Sequence, residues 1–390
     1  MLCSRFRPQW VQLRRNAVAA VRARHPWIYR PLEEPKAWST FKAGQWLTLH
    51  DESRACIGFG LYEPVGLTAI RVLRLGQTPP SLDFWKECLH KALLKRAQLQ
   101  RYTNAFRVLH GENDGVGGVV LDKYADTLVL QTYSPAVDTL GRYMALLARE
   151  ALKVRHVVWK TPTRRLGKES DLNAKTRVLY GNPPDVVSWN EGKHVFNGPL
   201  LEGQKTGTFL DLRGLRKWFA REPLAGRTIL NLFCYTGTLS AIADRQGARV
   251  WNVDECQPAL AFAEQHHTQF PARHRFLRED VFRWIASLEG HQFDYILCDP
   301  PQMASQASQI HQVLRTYFRL YSRLARHVRL RGKLVTVCCT GRIRRKRYEE
   351  CLGQALSGFR LVENLHPESD HPVRFKDGDY LKILVWERVR

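Results

Sequence analysis

Four short runs of strand-forming residues in the C-terminal half each end on residues suited to chemistry. Thr228–Phe233 runs into Cys234-Tyr235-Thr236-Gly237, and helical apolar spacing resumes at Leu239–Ala243. A buried parallel strand that turns through a glycine into a helix is how α/β folds build a cofactor site over the strand's carboxyl end. Gly237 lacks a Cβ, which permits close backbone approach there. The turn is not GxGxxG, so a dinucleotide is not the first expectation. The next run, ARVWNVD, ends in Asp254, an acid placed to take both hydroxyls of a ribose. The same Asp can instead cap the helix that follows, and the two roles are compatible. HRFLRED ends in Glu279-Asp280, where an acid can accept from an adenine amino group. FDYILCDPP ends in Asp299-Pro300-Pro301, whose prolines force a stiff, extended exit and forbid a helix start. That exit can hold a flat base, or it is a rigid loop and no more.

These tips need elements to carry them. From Glu191 onward, apolar runs at 228–233, 249–253, 274–277, 293–298 and 333–338 alternate with helical stretches, which predicts a mostly parallel sheet. The runs at 359–365 and 380–387 are separated by a loop without helix, so they read as an antiparallel pair closing one sheet edge. Upstream the pattern differs. Val11–Ala23 is a short basic amphipathic segment that Pro26 breaks. Gln45–His50, Ala55–Tyr62 and Thr68–Leu73 are short strands with Gly- and Pro-bearing turns, as in a small β-barrel. Thr78-Pro79-Pro80-Ser81 marks a boundary. Beyond it come a helix over Leu82–Gln100, strands around Asn104–His110, Val116–Leu121 and Thr127–Tyr133, a helix over Asp138–Val154 and a strand at His156–Lys160. Thr161–Lys175 reads as a mobile basic loop, and Pro183-Pro184 ends this α+β module.

The chain has 390 residues and a formal net charge of +23. So large an excess favours a polyanionic partner, nucleic acid first. No long apolar span or lipidation signal favours a membrane. Nine cysteines lie scattered without metal-ligand spacing, which argues for reduced thiols in a cytosol-like compartment and against a metal site. Met1–Leu32 holds Arg but no Asp or Glu; it lacks the Ser richness of a transit peptide and reads as part of a folded basic domain.

The four tips in this order resemble the class I S-adenosylmethionine-dependent methyltransferases. The likeness narrows on other stretches. GQKTGTFLDLR (Gly203–Arg213), RHPWIY (Arg24–Tyr29), GENDGVGG (Gly111–Gly118) and SDHPV (Ser369–Val373) with Tyr380-Leu381-Lys382 are similar to signatures of the ribosomal RNA large-subunit methyltransferase I family. These are PUA-domain enzymes that methylate cytosine C5 in 23S rRNA. The resemblance implies a multidomain chain: a PUA-like RNA-binding β-barrel over 1–77, a central α+β module over 78–188, and an α/β Rossmann-like methyltransferase domain over 189–390 with a mostly parallel seven-stranded sheet.

It also implies site residues. Lys205, Thr206, Phe209 and Asp211 would line the methionine side of S-adenosyl-L-methionine, with Asn231, Phe233, Tyr235 and Gly237 beneath; Asp254 would hold the ribose and Asp280 the adenine. In Val337–Gly341 (VCCTG), Cys339 matches the family's cysteine and Cys338 stands where the family has Ser. The resemblance makes Cys339 the nucleophile for cytosine C6 and Asp299 both a cofactor contact and the group bonding the ring. Pro-Pro is followed by Gln302-Met303 rather than the family's Lys-Phe. An ordinary thiol, with pKa about 8.5, needs a lowered pKa or a base to serve there. Arg342, Arg344, Arg345, Lys346 and Arg347 follow directly and are placed to grip RNA phosphates. Trp27, Tyr29 and Tyr62 can stack on unpaired bases, or serve as barrel core. The implied partner is 23S rRNA or an assembling large subunit, in the cytoplasm; a homodimer stays open. N-methylation of guanine or adenine on the same fold, and a non-catalytic RNA-binding assembly factor, are the rival readings.

Overall fold

A computed structural model describes residues 8–31, 36–162, 165, 176–203, 205–303, 307–375 and 378–390. They gather into two compact units. The first takes Met1–Gly192, Leu200–Gly207 and Ser369–Pro372, as far as these are described; the second takes Lys193–Pro199, Thr208–Glu368 and Val373–Arg390.

In the first unit, β1 (Gln9–Gln12), β2 (Trp27–Tyr29), β3 (Trp46–His50), β4 (Cys56–Tyr62) and β5 (Thr68–Leu75) form one sheet in the order β1-β3-β4-β5-β2. The segment expected as one amphipathic stretch over Val11–Ala23 divides: β1 runs parallel to β3, and α1 (Arg15–Arg22) follows. Three of the four β1 side chains are exposed, so apolar periodicity could not mark it as a strand. Leu47, Leu49, Ala69 and Ile70 make the core under α1. A second sheet has the order β10-β9-β8-β7-β6, built from β6 (Ala105–His110), β7 (Val119–Tyr124), β8 (Thr127–Thr132), β9 (His156–Lys160) and β10 (Thr176–Tyr180). Against it pack α2 (Leu82–Arg96) and α3 (Asp138–Leu152), and β11 (Val186–Glu191) closes the main span of the unit. The expected mobile loop at Thr161–Lys175 lies almost wholly outside the described residues.

The second unit starts at β12 (His194–Pro199) and α4 (Arg213–Phe219), and then alternates. In order come β13 (Thr228–Leu232), α5 (Thr238–Arg245), β14 (Arg249–Asp254), α6 (Gln257–His267), β15 (His274–Arg278), α7 (Val281–Trp284) and β16 (Phe293–Cys298). They are followed by α8 (Ile310–Ala325), β17 (Val328–Cys338), α9 (Arg345–Ala355), β18 (Phe359–Leu365) and β19 (Lys382–Arg388). The seven strands order as β15-β14-β13-β16-β17-β19-β18. The first five are parallel; β19 inserts antiparallel between β17 and β18, as the missing helix between the last two runs predicts. β13 and β16 are buried along nearly their whole length, which a sheet covered on both faces requires. Leu230, Leu232, Ile296 and Leu334 face a core shared with Tyr317, Leu320, Tyr321 and Leu324 of α8. The chain reverses direction across the sheet between β13 and β16, where open α/β sheets leave a crevice at the strand carboxyl ends.

Candidate active site

The loop leaving β13 carries strained backbone. Phe233 (φ 56°), Tyr235 (φ 48°) and Gly237 (φ 75°) all lie in the left-handed region within five residues. For the two aromatic residues that conformation costs on the order of 1–3 kcal/mol each, so neighbours must hold it. The Tyr235 N–H donates to Asp254 Oδ2 (2.8 Å), and the Cys234 N–H to the Val253 carbonyl (3.3 Å). On the other side, His267 of α6 donates its Nδ1–H to the Thr236 carbonyl while its Nε2 accepts from the Asn197 N–H (2.9 Å). Burial pushes the His267 pKa down to about 4, so the ring that holds the loop is neutral. A Cβ on Gly237 would meet Ala263 Cβ of α6 at 2.9 Å. The close approach foreseen at this glycine is thus to a helix.

Asp254 sits at the tip of β14, with only 9% of its surface exposed. Its Oδ1 accepts from the Cys256 N–H (2.9 Å), beside the Tyr235 bond on Oδ2. It does not cap α6, which starts at Gln257 with Cys256 as N-cap. Each carboxylate oxygen has two acceptor sites and uses one, which leaves one on each for a vicinal diol. That donor and acceptor chemistry fits the ribose of S-adenosylmethionine. Asp280 does cap its helix: it accepts from the Phe282 N–H (3.0 Å) at the start of α7. Phe282 in turn packs on Phe233, centroids 5.4 Å apart. The sequence reading passed over Phe282, because its partner lies 49 positions earlier in the chain.

Phe209 stands edge-on to Tyr235 at 5.3 Å, and Asp211 accepts from the Tyr380 hydroxyl (2.6 Å), so these lie against the β13 loop and the approach to β19 respectively. Asn231 is buried, and its side-chain amide donates to Ser240 Oγ (2.8 Å), beneath the loop rather than in the open. Lys205 and Thr206 belong to the first unit. Lys205 is exposed with φ 49°. Thr206 is buried, and its hydroxyl is engaged on both sides, donating to Asp122 Oδ2 and meeting the Tyr124 hydroxyl, each at 2.8 Å.

At the neighbouring tips, half-buried Asp299 opens the Asp-Pro-Pro segment, and Cys339 Sγ donates to the Pro300 carbonyl (3.7 Å). The structure therefore brings the thiol and this segment together, although they are 39 positions apart. Cys234, Cys298 and Cys338 are buried, whereas Cys339 is partly exposed. Burial raises the pKa of both Cys234 and Cys298, which keeps those thiols protonated. Lys382, fully buried, donates to the carbonyls of Thr340 (2.9 Å), Asp379 (2.8 Å) and Tyr380 (3.3 Å), and so clamps the turn after Cys339. Burial lowers its pKa.

Arg342, Arg344, Lys346 and Arg347 are exposed. Arg345 is not available in the same way: it binds Asn364 Oδ1 (2.8 Å), the Leu381 carbonyl (2.9 Å) and Asp379 (3.4 Å). A cavity of about 440 Å³ opens here, and Arg374 and Phe375 join Arg342 and Arg344 in its lining. Those two, from the loop before β19, escaped the sequence reading. In the first unit, Trp27 donates its indole N–H to Glu112 of the GENDGVGG loop (2.8 Å), while Tyr29 is 52% exposed. Tyr62 is core, edge-on to Trp38 and Phe41. Among the described residues no group of His, Cys, Asp and Glu could hold a metal ion, and no helix is long and apolar enough to cross a membrane.

Strand order, the strained β13 loop and the acids at successive tips define a Rossmann-like methyltransferase of the class that uses S-adenosylmethionine. Residues 114–384 match the S-adenosylmethionine-dependent methyltransferase family, and residues 11–75 match a PUA-like domain. Among sequence relatives, a ribosomal RNA large subunit methyltransferase of Deinococcus radiodurans is 32% identical over 93% of both chains. A ribosomal RNA large subunit methyltransferase I of Alteromonas mediterranea is 29% identical over 94% of this chain and 96% of its own. The chain belongs to this family of S-adenosylmethionine-dependent ribosomal RNA large-subunit methyltransferases. Its fold is also that of a proposed S-adenosylmethionine-dependent methyltransferase from Streptococcus mutans: TM-score 0.82, 18% identity, 97% of this chain and 100% of that one. A second chain, described as a proposed methyltransferase and crystallised with S-adenosylhomocysteine, matches over the same shares, with TM-score 0.82 and 19% identity.

Proposed function

We propose that this protein methylates C5 of a cytosine in 23S rRNA through a transient bond to Cys339. The observation that carries the reading is that the partly exposed residue Cys339 sets its thiol against the Pro300 carbonyl, beside fully buried cysteines. Cytosine C5 is a poor nucleophile. Attack of the Cys339 thiolate on C6 makes C5 enamine-like, so that C5 bonds the methyl carbon as the carbon–sulfur bond of the donor breaks. Loss of the C5 proton to a base then expels the thiolate and restores the aromatic ring. The bound cofactor supplies the electrophilic methyl group. Asp254 would bind the ribose and Asp280 the adenine, with Phe233 and Phe282 alongside. Phe209, Asp211, Tyr235 and Gly237 would form the methionine side, with Asn231 bracing the loop from below; the roles of Lys205 and Thr206 on the cofactor rest on the family resemblance alone. Asp299 would hold the cytosine ring. Arg342, Arg344, Lys346 and Arg347 would bind phosphates; Arg345 would shape the surface through its internal bonds. Trp27 and Tyr29 would contact RNA from the barrel, Tyr29 with more of its ring exposed. A target base within a duplex has to be flipped out to reach Cys339. The same reading divides the chain at 1–77, 78–188 and 189–390 and puts it in the cytoplasm, on naked rRNA or an assembling particle, as a monomer or homodimer.

Nucleoside mass spectrometry of rRNA from cells with and without the gene tests the product: one 5-methylcytosine in 23S rRNA should vanish. Cys339→Ala should bind S-adenosylhomocysteine normally and form no 5-methylcytosine. RNA carrying 5-fluorocytosine should trap a covalent adduct with the intact enzyme and none with Cys339→Ala. Methyl transfer without an adduct would move the reaction to a guanine or adenine nitrogen. An absence of cofactor binding by calorimetry would leave a non-catalytic RNA-binding role.

A further inference from the structure

Behind the tips of β16 and β17 lies a cluster of three tyrosines whose side chains reach no solvent. Tyr317 and Tyr321 of α8 stack with ring centroids 5.9 Å apart, and Tyr348 of α9 stands edge-on to Tyr317 at 5.2 Å. A Phe would pack as well at each position, so the hydroxyls call for an explanation. The Tyr321 hydroxyl lies 3.4 Å from the carbonyl oxygen of Cys298 and 3.3 Å from that of Val337. Both distances are long, as one proton shared between two acceptors requires. Tyr348 donates its own hydroxyl to Tyr321 Oη (3.3 Å), which turns the Tyr321 proton toward the strands. Burial raises the pKa of Tyr321 and Tyr348, so both remain donors at any physiological pH.

The two acceptors are the significant point. Cys298 ends β16 and immediately precedes Asp299; Val337 is two residues before Cys339 on β17. Cys298–Thr336 is the last register pair between β16 and β17, and beside it one hydroxyl joins the carbonyls of both strands. We propose that Tyr321, oriented by Tyr348, is a positioning residue that sets the separation of the Asp299 and Cys339 tips. This rests on the roles given above to Asp299 and Cys339. Tyr348 lies in the first turn of α9, directly after the exposed arginines, so the same pair of hydroxyls also joins the basic surface to the tips. The hydroxyl of Tyr317, by contrast, reaches neither strand carbonyl and lies beside the buried Cys338 thiol, so Tyr317→Phe controls for the removal of a buried hydroxyl that does not join the two strands.

Tyr321→Phe, Tyr348→Phe and Tyr317→Phe should be compared in the full-length protein by steady-state kinetics, cofactor calorimetry and amide hydrogen exchange. In Tyr321→Phe, peptides covering Asp299 and 337–341 should exchange faster while β14 peptides do not. Its kcat should fall on the order of 10- to 100-fold, the loss that misplacement of reacting groups by about 1 Å produces, with KM for RNA and cofactor affinity within about twofold. Tyr348→Phe should move both readouts the same way but less, and Tyr317→Phe should move neither. Unchanged exchange at the tips in Tyr321→Phe overturns the proposal. So does faster exchange with unchanged kcat, an equal loss in Tyr317→Phe, or a kcat loss matched by lost cofactor binding. If the wild-type protein makes no 5-methylcytosine, the functional reading fails instead; the exchange comparison still decides whether Tyr321 pins the two strands.

Discussion

At Cys339 and its neighbours, one position along the chain separates a partly exposed cysteine from a fully buried one. Cys338 ends β17 and points into the core; Cys339, one residue on, meets the Pro300 carbonyl with part of its surface open. Side chains alternate along a strand, so adjacent cysteines cannot both face the same way. Gly237 is a second position where one atom decides. It needs φ 75°, and an added Cβ would sit 2.9 Å from Ala263 Cβ. Gly237→Ala should lower stability by about 1–3 kcal/mol through backbone strain, and more if α6 cannot yield. Because Gly237 ends the loop that Asp254 holds, affinity for S-adenosylhomocysteine should fall with it. Chemical denaturation and calorimetry on the same preparation check both effects.

Among the elements, α6 does more than cover the sheet. Through His267 it grips the β13 loop at Thr236, and that grip needs a neutral imidazole, since Nε2 accepts while Nδ1 donates. The folded pKa of about 4 lies below the ordinary value of 6.5. Between those values the unfolded chain takes up a proton that the folded chain refuses. The stabilisation is therefore complete above about pH 6.5 and is lost as the pH falls toward 4, by about 3 kcal/mol in total. Unfolding titrations from pH 7.5 to 4.5 should show this loss, and His267→Gln should show a flatter profile from a lower starting stability. The elements also mark how far local pattern reaches. His156–Lys160 and Phe293–Cys298 match their predicted ends, because each is a mostly apolar or β-branched run between clear turns; Phe359–Leu365 matches too, although Arg360, Glu363 and Asn364 interrupt its apolar residues. β17 is longer than its apolar half, since Val328–Gly332 carries two arginines yet still extends the strand. β1 went unseen because its exposed side chains leave no period to read.

Over the whole molecule, a net charge of +23 has consequences that no single residue carries. RNA binding should weaken steeply with salt, with a log–log slope of about −0.7 per phosphate contact on a single strand. Replacing Arg342 and Arg344 together by Gln should flatten that slope by about 1.4 and weaken binding to all RNAs alike, as filter binding across a salt series would show. Calorimetric cofactor affinity should not change. The first unit shows a further use of charge. Buried Arg96 pairs with Asp114 and also donates to the Asp370 carbonyl (3.0 Å), and the Arg107 N–H donates to Asp370 Oδ2 (3.0 Å). Together with the Trp27–Glu112 bond, these place three of the signature stretches in the packing of that unit. Breaking one member of such a buried pair leaves the other unpaired in a medium that solvates it poorly.

By itself the amino-acid sequence determined the alternation of strands and helices, the antiparallel closing pair and the acids at successive strand ends. Those features follow from side-chain periodicity and backbone stiffness, which act over a few residues and can be read along the chain. Tertiary structure alone decided that Arg345 is tied to Asn364 and Leu381, that Thr206 is held by Asp122 and Tyr124, and that Leu200–Gly207 and Ser369–Pro372 belong with the first unit. It also decided that one tyrosine spans the ends of two strands. In each case the deciding partner lies far off in sequence, and a hydrogen bond or a packing contact depends on distance in space, which no local pattern encodes.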